Sequence, residues 1–283
     1  MDSRDLDRRE MVRRLVAIGA SSPTMLVRPS LAEIIQLTTS SSWPNAMNTG
    51  VPTDCPLTSA HSLIITTDGA TVDALDITGT VDINADNVTL KRCRVRTANF
   101  YIVRIRSGKI GAVVRDCEID GVGKGNDGSN GIQGTGTILR NNIYNVENGI
   151  TVDGTSPTLI EDNYIHDLLA SGAPHYDGIQ IDGGISNVTI RHNTVINRWM
   201  QTSAVMIDNY FGPVSKIIVD NNLLLGGGYT IYVDGQFNSN PISGVSITNN
   251  HMGRGYWGIT NFNKTSPVYT GNTNDGAALA RAL

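Results

Sequence analysis

The chain has only four phenylalanines and three cysteines among its 283 residues, and charged side chains make up just 17% of it. Three cysteines, Cys55, Cys93 and Cys117, leave at least one thiol unpaired and exclude a disulfide scaffold. No stretch is long and apolar enough to span a membrane as a helix. The net charge of -4 excludes a general nucleic-acid binder, which needs a basic face. What is present is a hydrophobic fraction of 40%, enough for a large core and too much for disorder. Thirty glycines set against four phenylalanines point to many short strands and turns rather than to helical packing. The length suits one elongated domain or two ordinary ones.

Residues 1–42 differ in composition from the rest. Asp7-Arg8-Arg9-Glu10-Met11-Val12-Arg13 resembles a twin-arginine export signal, with Leu15 to Ala20 as its short apolar region. Arg13, Arg14 and Arg28 crowd that region, and no A-x-A cleavage site follows. The other reading is a short amphipathic helix that anchors the protein or caps its end. Both stay open, and residues 43–283 form the second segment.

One phrase recurs from residue 80 onward: aliphatic or β-branched residues, two polar ones, then Asn or Cys. It reads Val88-Thr89-Leu90…Cys93, Ala112-Val113-Val114…Cys117, Thr137-Ile138-Leu139…Asn142 and Thr158-Leu159-Ile160…Asn163. It continues as Val188-Thr189-Ile190…Asn193, Ile217-Ile218-Val219…Asn222, Val245-Ser246-Ile247…Asn250 and Val268-Tyr269…Asn272. A period near this length holds three short strands and three turns, and one such coil buries its apolar face only by stacking on another. Stacking sets equivalent residues ~4.8 Å apart. The Asn residues then form an internal ladder of bonded amides, and Cys93 and Cys117 fill its first two rungs as buried thiols.

An Asn ladder preceded by VTI-like strands resembles the pectate-lyase superfamily, over roughly residues 50 to 275. Trp43-Pro44-Asn45-Ala46-Met47-Asn48-Thr49-Gly50-Val51-Pro52 is similar to the start of bacterial and phage right-handed β-helix repeat proteins. The resemblance implies an all-β fold: a right-handed parallel β-helix of about eight coils, with the short helical segment at its N-terminus.

A second phrase precedes each VTI strand: Gly149-Ile150-Thr151-Val152-Asp153, Gly178-Ile179-Gln180-Ile181-Asp182, Ala204-Val205-Met206-Ile207-Asp208 and Thr230-Ile231-Tyr232-Val233-Asp234. By analogy with the superfamily these belong to its first sheet. Period-2 alternation sends Ile and Val inward, so Asp153, Asp182, Asp208 and Asp234 stack in one outward column. Thr151, Gln180, Met206 and Tyr232 run beside it, with Arg104 and Arg106 toward the N-terminal end. Aligned carboxylates about 5 Å apart repel; that raises a pKa for acid–base chemistry or recruits a cation, with Ca2+ as the one candidate cofactor. Neighbouring and alternate rungs give the separations of retaining and inverting glycosidases. The plainer alternative is that these Asp residues only end strands, since three precede Gly and one precedes Asn.

The loop Ser171-Gly172-Ala173-Pro174-His175-Tyr176-Asp177 adds His175 and Asp177 to the same region. Asp177-Gly178-Ile179 resembles part of the Asn-Thr-Asp-Gly motif of polygalacturonases, with His175-Tyr176 replacing Asn-Thr. The Asp-Asp, Gly-His-Gly and Arg-Ile-Lys motifs of that family are missing, which argues against a standard polygalacturonase. Catalytic candidates are Asp182, Asp208, Asp177 and His175. Substrate-binding candidates are Asp153, Asp234, Gln180, Tyr210, Tyr232, Lys124, Arg104 and Arg106; no metal ligand is assigned. Trp199, Phe211, Tyr229, Tyr256 and Trp257 also lie near these loops. A lyase would need a base such as Lys124 or Arg198.

Two functions fit. One is an enzyme that binds and cleaves a polysaccharide, uronate-bearing polymers included, along the first sheet, a hydrolase in preference to a lyase. The other is a non-catalytic glycan-binding or structural β-helix of a phage tail or cell-surface assembly. Either implies a polysaccharide or host-surface partner, a monomer or homotrimer, and a secreted or virion-associated location.

Overall fold

The computed structural model describes residues 43–275. The segment assigned above to an export signal or helix lies outside the described residues, and so does the C-terminal end from 276 on. The described chain is all β-strand, turn and loop, with parallel pairing between successive coils.

Seven complete three-strand coils, with a partial coil at each end, make up the expected solenoid of about eight. One sheet has nine strands, from Thr71–Asp73 to Val268–Thr270, and contains the VTI phrases. The other has sixteen and folds back on itself at Leu75–Ile83, giving two limbs. The ladder limb follows the Asn residues, from Arg94–Arg96 to His251–Gly253. The site limb runs from Tyr101–Ile105 to Gly258–Asn263.

Register turns sequence repetition into columns. Leu90, Val114, Ile138, Ile160, Ile190, Val219 and Ile247 pair in succession and are all fully buried. Ile150, Ile179, Val205 and Ile231 form an equivalent inward row on the site limb. Branched aliphatic side chains suit such rows, because they pack well on a pleated surface and lose little rotamer freedom there. Each row removes apolar surface from water only when the next coil covers it, so the coils stabilise one another rather than themselves.

The polar rungs follow the same logic. Nδ2 of Asn141 donates to Oδ1 of Asn163 at 2.9 Å, and Asn163, Asn193, Asn222 and Asn250 each repeat the bond to the next at 2.9–3.0 Å. The same amides donate to backbone carbonyls of Val114, Ile138, Ile160, Ile190 and Val219. Every one of these buried amides is therefore satisfied, which removes the cost of burying it. Cys93 and Cys117 are free thiols at the head of the ladder, with Cys117 N donating to Asn141 Oδ1 at 3.1 Å. The residue before each rung (Arg92, Asp116, Arg140, Asp162, His192, Asn221, Asn249) is left-handed, with φ between 49° and 57°. That turn brings the rung inward.

The rung at this coil is Asn141, not the Asn142 expected from the sequence. Ile138, not Leu139, points inward between Val114 and Ile160, and the rung lies three residues after it. Asn142 faces outward, and its Oδ1 accepts from His166 Nε2 at 2.9 Å. The Asn141-Asn142 doublet hid the one-residue difference.

Residues 43–50 cross the outside of the ladder limb. Trp43 stacks on His192 at 5.1 Å, meets His251 edge-on at 5.3 Å, and covers the small apolar group Ile196, Leu223 and Leu225. Gly50 N then donates to Arg140 O at 2.9 Å.

Candidate functional site

Each site-limb strand begins with two inward residues in a row. Gly131-Ile132, Gly149-Ile150, Gly178-Ile179 and Ala204-Val205 occupy these places. Added Cβ atoms on the glycines would lie 2.6 Å from Ile143 Cγ2, 2.5 Å from Ile165 Cγ2 and 2.2 Å from Val195 Cγ1. These glycines are demanded by close approach to the core rather than by turn geometry. The double inward step sends the preceding residue outward, and normal alternation then sends every second residue outward.

Three outward columns result. The first is Asn130, Asn148, Asp177 and Ser203. The second is Arg104, Gln133, Thr151, Gln180, Met206 and Tyr232. In the third, Asp208 pairs with Asp234, and Asp182 stands one residue beyond the Ile181–Ile207 pair. The second and third columns match the sequence-based expectation. The first was not expected, although Asn130-Gly131-Ile132, Asn148-Gly149-Ile150 and Asp177-Gly178-Ile179 repeat one pattern.

The columns are buried rather than open. Asp177, Asp208, Asp234 and Gln180 are 0% exposed, Asp182 2% and His175 4%. Loops stand at both edges. On the strand-entry side, Asn126 donates to Leu169 O and Gly128 N donates to Glu147 Oε2 at 2.7 Å. On the exit side, Asn209 Nδ2 donates to Asn240 O at 2.7 Å, and Asn238 Nδ2 to Tyr210 O at 2.9 Å.

His175 lies between two carboxylates. Its Nδ1 is 2.5 Å from Glu147 Oε1, and its Nε2 is 3.8 Å from Asp177 Oδ2. Ser203 Oγ donates to Asp177 Oδ1 at 3.2 Å, and Asp177 N donates to Asn148 Oδ1 at 3.2 Å. Tyr176, between His175 and Asp177, has φ 43°, so both flanking side chains face outward while its own ring is buried. The Thr202 hydroxyl donates to the carbonyls of His175 and Tyr176 and holds this strained turn. Glu147, Ser203, Asn148 and Thr202 are site residues that sequence reasoning did not find. Glu147 directly precedes one of the repeated Asn-Gly-Ile patterns, which was the available signal.

Burial and crowding set the protonation. Burial, reinforced by Asp182, pushes Asp177 up to about 7 despite the opposing pull of His175. Burial, then the charges of Asp182, Asp177 and Asp234, drive Asp208 well above the usual carboxylate range. Burial also raises Asp234. Burial pulls His175 down, but its bond to Glu147 and the surrounding negative charge outweigh that and leave it raised. His175 Nε2, Asp177 Oδ2, Asp208 Oδ2, Gln133 Oε1 and Gln180 Nε2 are buried without a hydrogen-bond partner among the described residues.

The other candidates fall around this cluster. Asp153 accepts from Gln133 Nε2 at 2.8 Å, and Asp234 accepts from Gln236 and Asn263. Tyr232 is buried beside Tyr229, and burial raises its hydroxyl pKa. Tyr210 packs edge-on against Phe211 and Phe237, and Asp208 Oδ1 accepts from its N–H at 2.8 Å. Arg104 lies over the Tyr101 ring at 4.6 Å. Arg106 is already clasped by Asp82 through three bonds of 2.6–3.1 Å. Lys124 lies on its loop at the surface, and Arg198 is paired with Asp167 at 3.2 Å. Among the described residues no group of three or more His, Cys, Asp or Glu side chains is arranged to hold a metal ion.

Residues 78–251 match the family model described as a right handed beta helix region. No curated protein matches the sequence. Among solved structures, the chain is similar to the catalytic domain of a GH87 α-1,3-glucanase in complex with tetrasaccharides. Identity is 12% and the TM-score 0.37, over 90% of this chain and 70% of that one.

Proposed function

The chain belongs to the right-handed β-helix family, and on that premise we propose that it is a glycan-cleaving member, a glycoside hydrolase acting at Asp177, Asp182 and Asp208. The observation that carries this reading is a cluster of buried carboxylates crowded on one face around His175. Two carboxylates on neighbouring coils of one outward face lie beside a His–Glu pair and are both shifted upward by burial, Asp177 to about 7 and Asp208 well above the usual carboxylate range. Strongly shifted groups gathered on one face favour acid–base work.

In this reading Asp208 is the general acid that protonates the leaving oxygen. Asp177, near 7, takes the proton of the attacking water, and His175 tunes it. Glu147 fixes the His175 ring by accepting from Nδ1. Asp182 stabilises positive charge developing at the sugar. The second column supports a polyhydroxylated polymer, because Gln133, Thr151 and Gln180 offer an amide or hydroxyl on three successive coils, with Gln133 Oε1 and Gln180 Nε2 still to be bonded. A hydrolase is favoured over a lyase because the candidate bases are misplaced: Lys124 sits out on its loop and Arg198 is neutralised.

The near-complete burial of Asp177, Asp208 and Asp234 supports a second reading, a non-catalytic β-helix in which these groups are structural. A panel of soluble polysaccharides separates the two. Reducing ends released without ultraviolet absorbance from an unsaturated uronate, and lost in Asp208→Asn, support the hydrolase. Absorbance rising with the reducing ends means a lyase. Unchanged release in Asp208→Asn removes Asp208 from the mechanism.

A further inference from the structure

We propose that the indole of Trp199 is a platform for one sugar ring of the glycan, a lateral subsite on the strand-entry side of Asp177. This deepens the reading above and rests on it. Trp199 lies in the turn between Thr194–Asn197 and Ser203–Asp208. It is 39% exposed, yet it is fixed on two sides. Its ring lies parallel to that of Tyr176, 4.5 Å away and tilted by only 6°. Its Nε1 donates to Leu168 O at 2.6 Å, and its backbone N–H donates to Asn197 Oδ1 at 3.0 Å.

The indole thus leaves part of a large flat ring accessible to water while its position is fixed. Sugars present a flat C–H face that stacks on aromatic rings, and a ring already held in place loses little entropy on binding. The rim is suited to hydroxyls: the Arg198–Asp167 pair is about half exposed on both partners and adjoins the indole in sequence. Met200, next in sequence, and Leu169, next to the residue whose carbonyl holds the indole, are 59% and 41% exposed.

The platform is tied to the buried cluster through few bonds. Tyr176, stacked under Trp199, is the residue between His175 and Asp177. Asn197 Nδ2 donates to Tyr176 O at 2.7 Å and to Ser203 O at 3.1 Å. The platform therefore meets the cluster through the backbone of residues 175–177, off the line of the columns. Tyr210 and Tyr232, the aromatics favoured from sequence, are already packed against other rings.

The test uses the full chain with two named probes, polygalacturonate and a soluble neutral glucan. Oxidation of tryptophans by N-bromosuccinimide is followed by peptide mass spectrometry with and without each polymer, alongside kinetics of Trp199→Ala and Met200→Asp. The expected result is that a polymer bound or cleaved by the wild type slows Trp199 oxidation about tenfold and leaves Trp257 unaffected. Both substitutions then raise KM by about tenfold. Binding or cleavage without protection of Trp199 overturns the platform and leaves the hydrolase reading standing. A fall in kcat at constant KM in Trp199→Ala, again without protection, also overturns it and shows that Trp199 only props Tyr176. If neither probe is bound or cleaved, the platform fails for both chemical classes. A wider panel cleaved with Trp199 oxidation unchanged would then reject the platform alone, and silence across that panel would reject the hydrolase with it.

Discussion

Replacing Asp177 by Asn is expected to stabilise the protein at neutral and alkaline pH while stopping its chemistry. The unfolded carboxyl titrates near its ordinary value of 3.8 and the folded one at about 7. Because the folded value is the higher, the folded state holds the proton across the window between them. Its stability contribution is fully present below the unfolded value and is lost as pH rises through the folded one. The two values lie about three pH units apart, and each is worth about 1.36 kcal/mol, so the loss between about pH 4 and about pH 8 is on the order of 4 kcal/mol. Asp177 is fully buried, so solvent screening does not reduce this much. His175 is also raised and adds a loss of the same sign. An Asn side chain keeps the shape and can still accept from Ser203 Oγ, but it has no charge to desolvate. Urea unfolding of both proteins at several pH values is the assay. The wild type should weaken steadily as pH rises, and the variant should show a smaller slope, the one left by His175, Asp208 and Asp234. Parallel stability curves for the two proteins would refute the buried, proton-bearing Asp177.

Asp208→Asn and Asp182→Asn should each lower turnover by about a hundredfold or more with little loss of stability, measured by reducing ends and by thermal unfolding. Asn193→Ala removes a rung and leaves the Asn163 amide without its ladder acceptor; it should cost about 1–3 kcal/mol, seen as a lower denaturant midpoint. Gly178→Ala places a Cβ 2.2 Å from Val195 Cγ1 and should cost about 1–3 kcal/mol, part of which Val195→Ala restores. Thiol titration of the native protein should find Cys55 reacting fast, with Cys93 and Cys117 reacting only on unfolding.

Most of the architecture could be read from the sequence because a solenoid writes each coil in the same order. The inward aliphatic rows, the ladder and two outward columns all follow from period 2 within strands and from the recurrence of the phrase. Two features did not follow. Asn141-Asn142 offers two candidates for one rung, and only the inward direction of Ile138 chooses between them. The burial of Asp177 and Asp208 goes with loops that stand at both edges of the face, and loop conformation leaves no periodic trace. Glu147 was missed for a related reason: its role comes from a 2.5 Å meeting with His175 across 28 residues of chain.

The ladder has a consequence for how such a chain can change. Successive rungs from Cys117 to Asn272 are separated by 24, 22, 30, 29, 28 and 22 residues, yet the side-chain bonds between Asn rungs stay at 2.9–3.0 Å. Length and register are therefore independent variables. A loop can grow or shrink by several residues between two fixed corners without disturbing the coils above and below. New chemistry can be mounted at any level of the stack by insertion alone, much as fittings are added to a rail whose holes are already drilled. The 166–176 segment, which delivers His175 onto an otherwise regular face, is such a fitting.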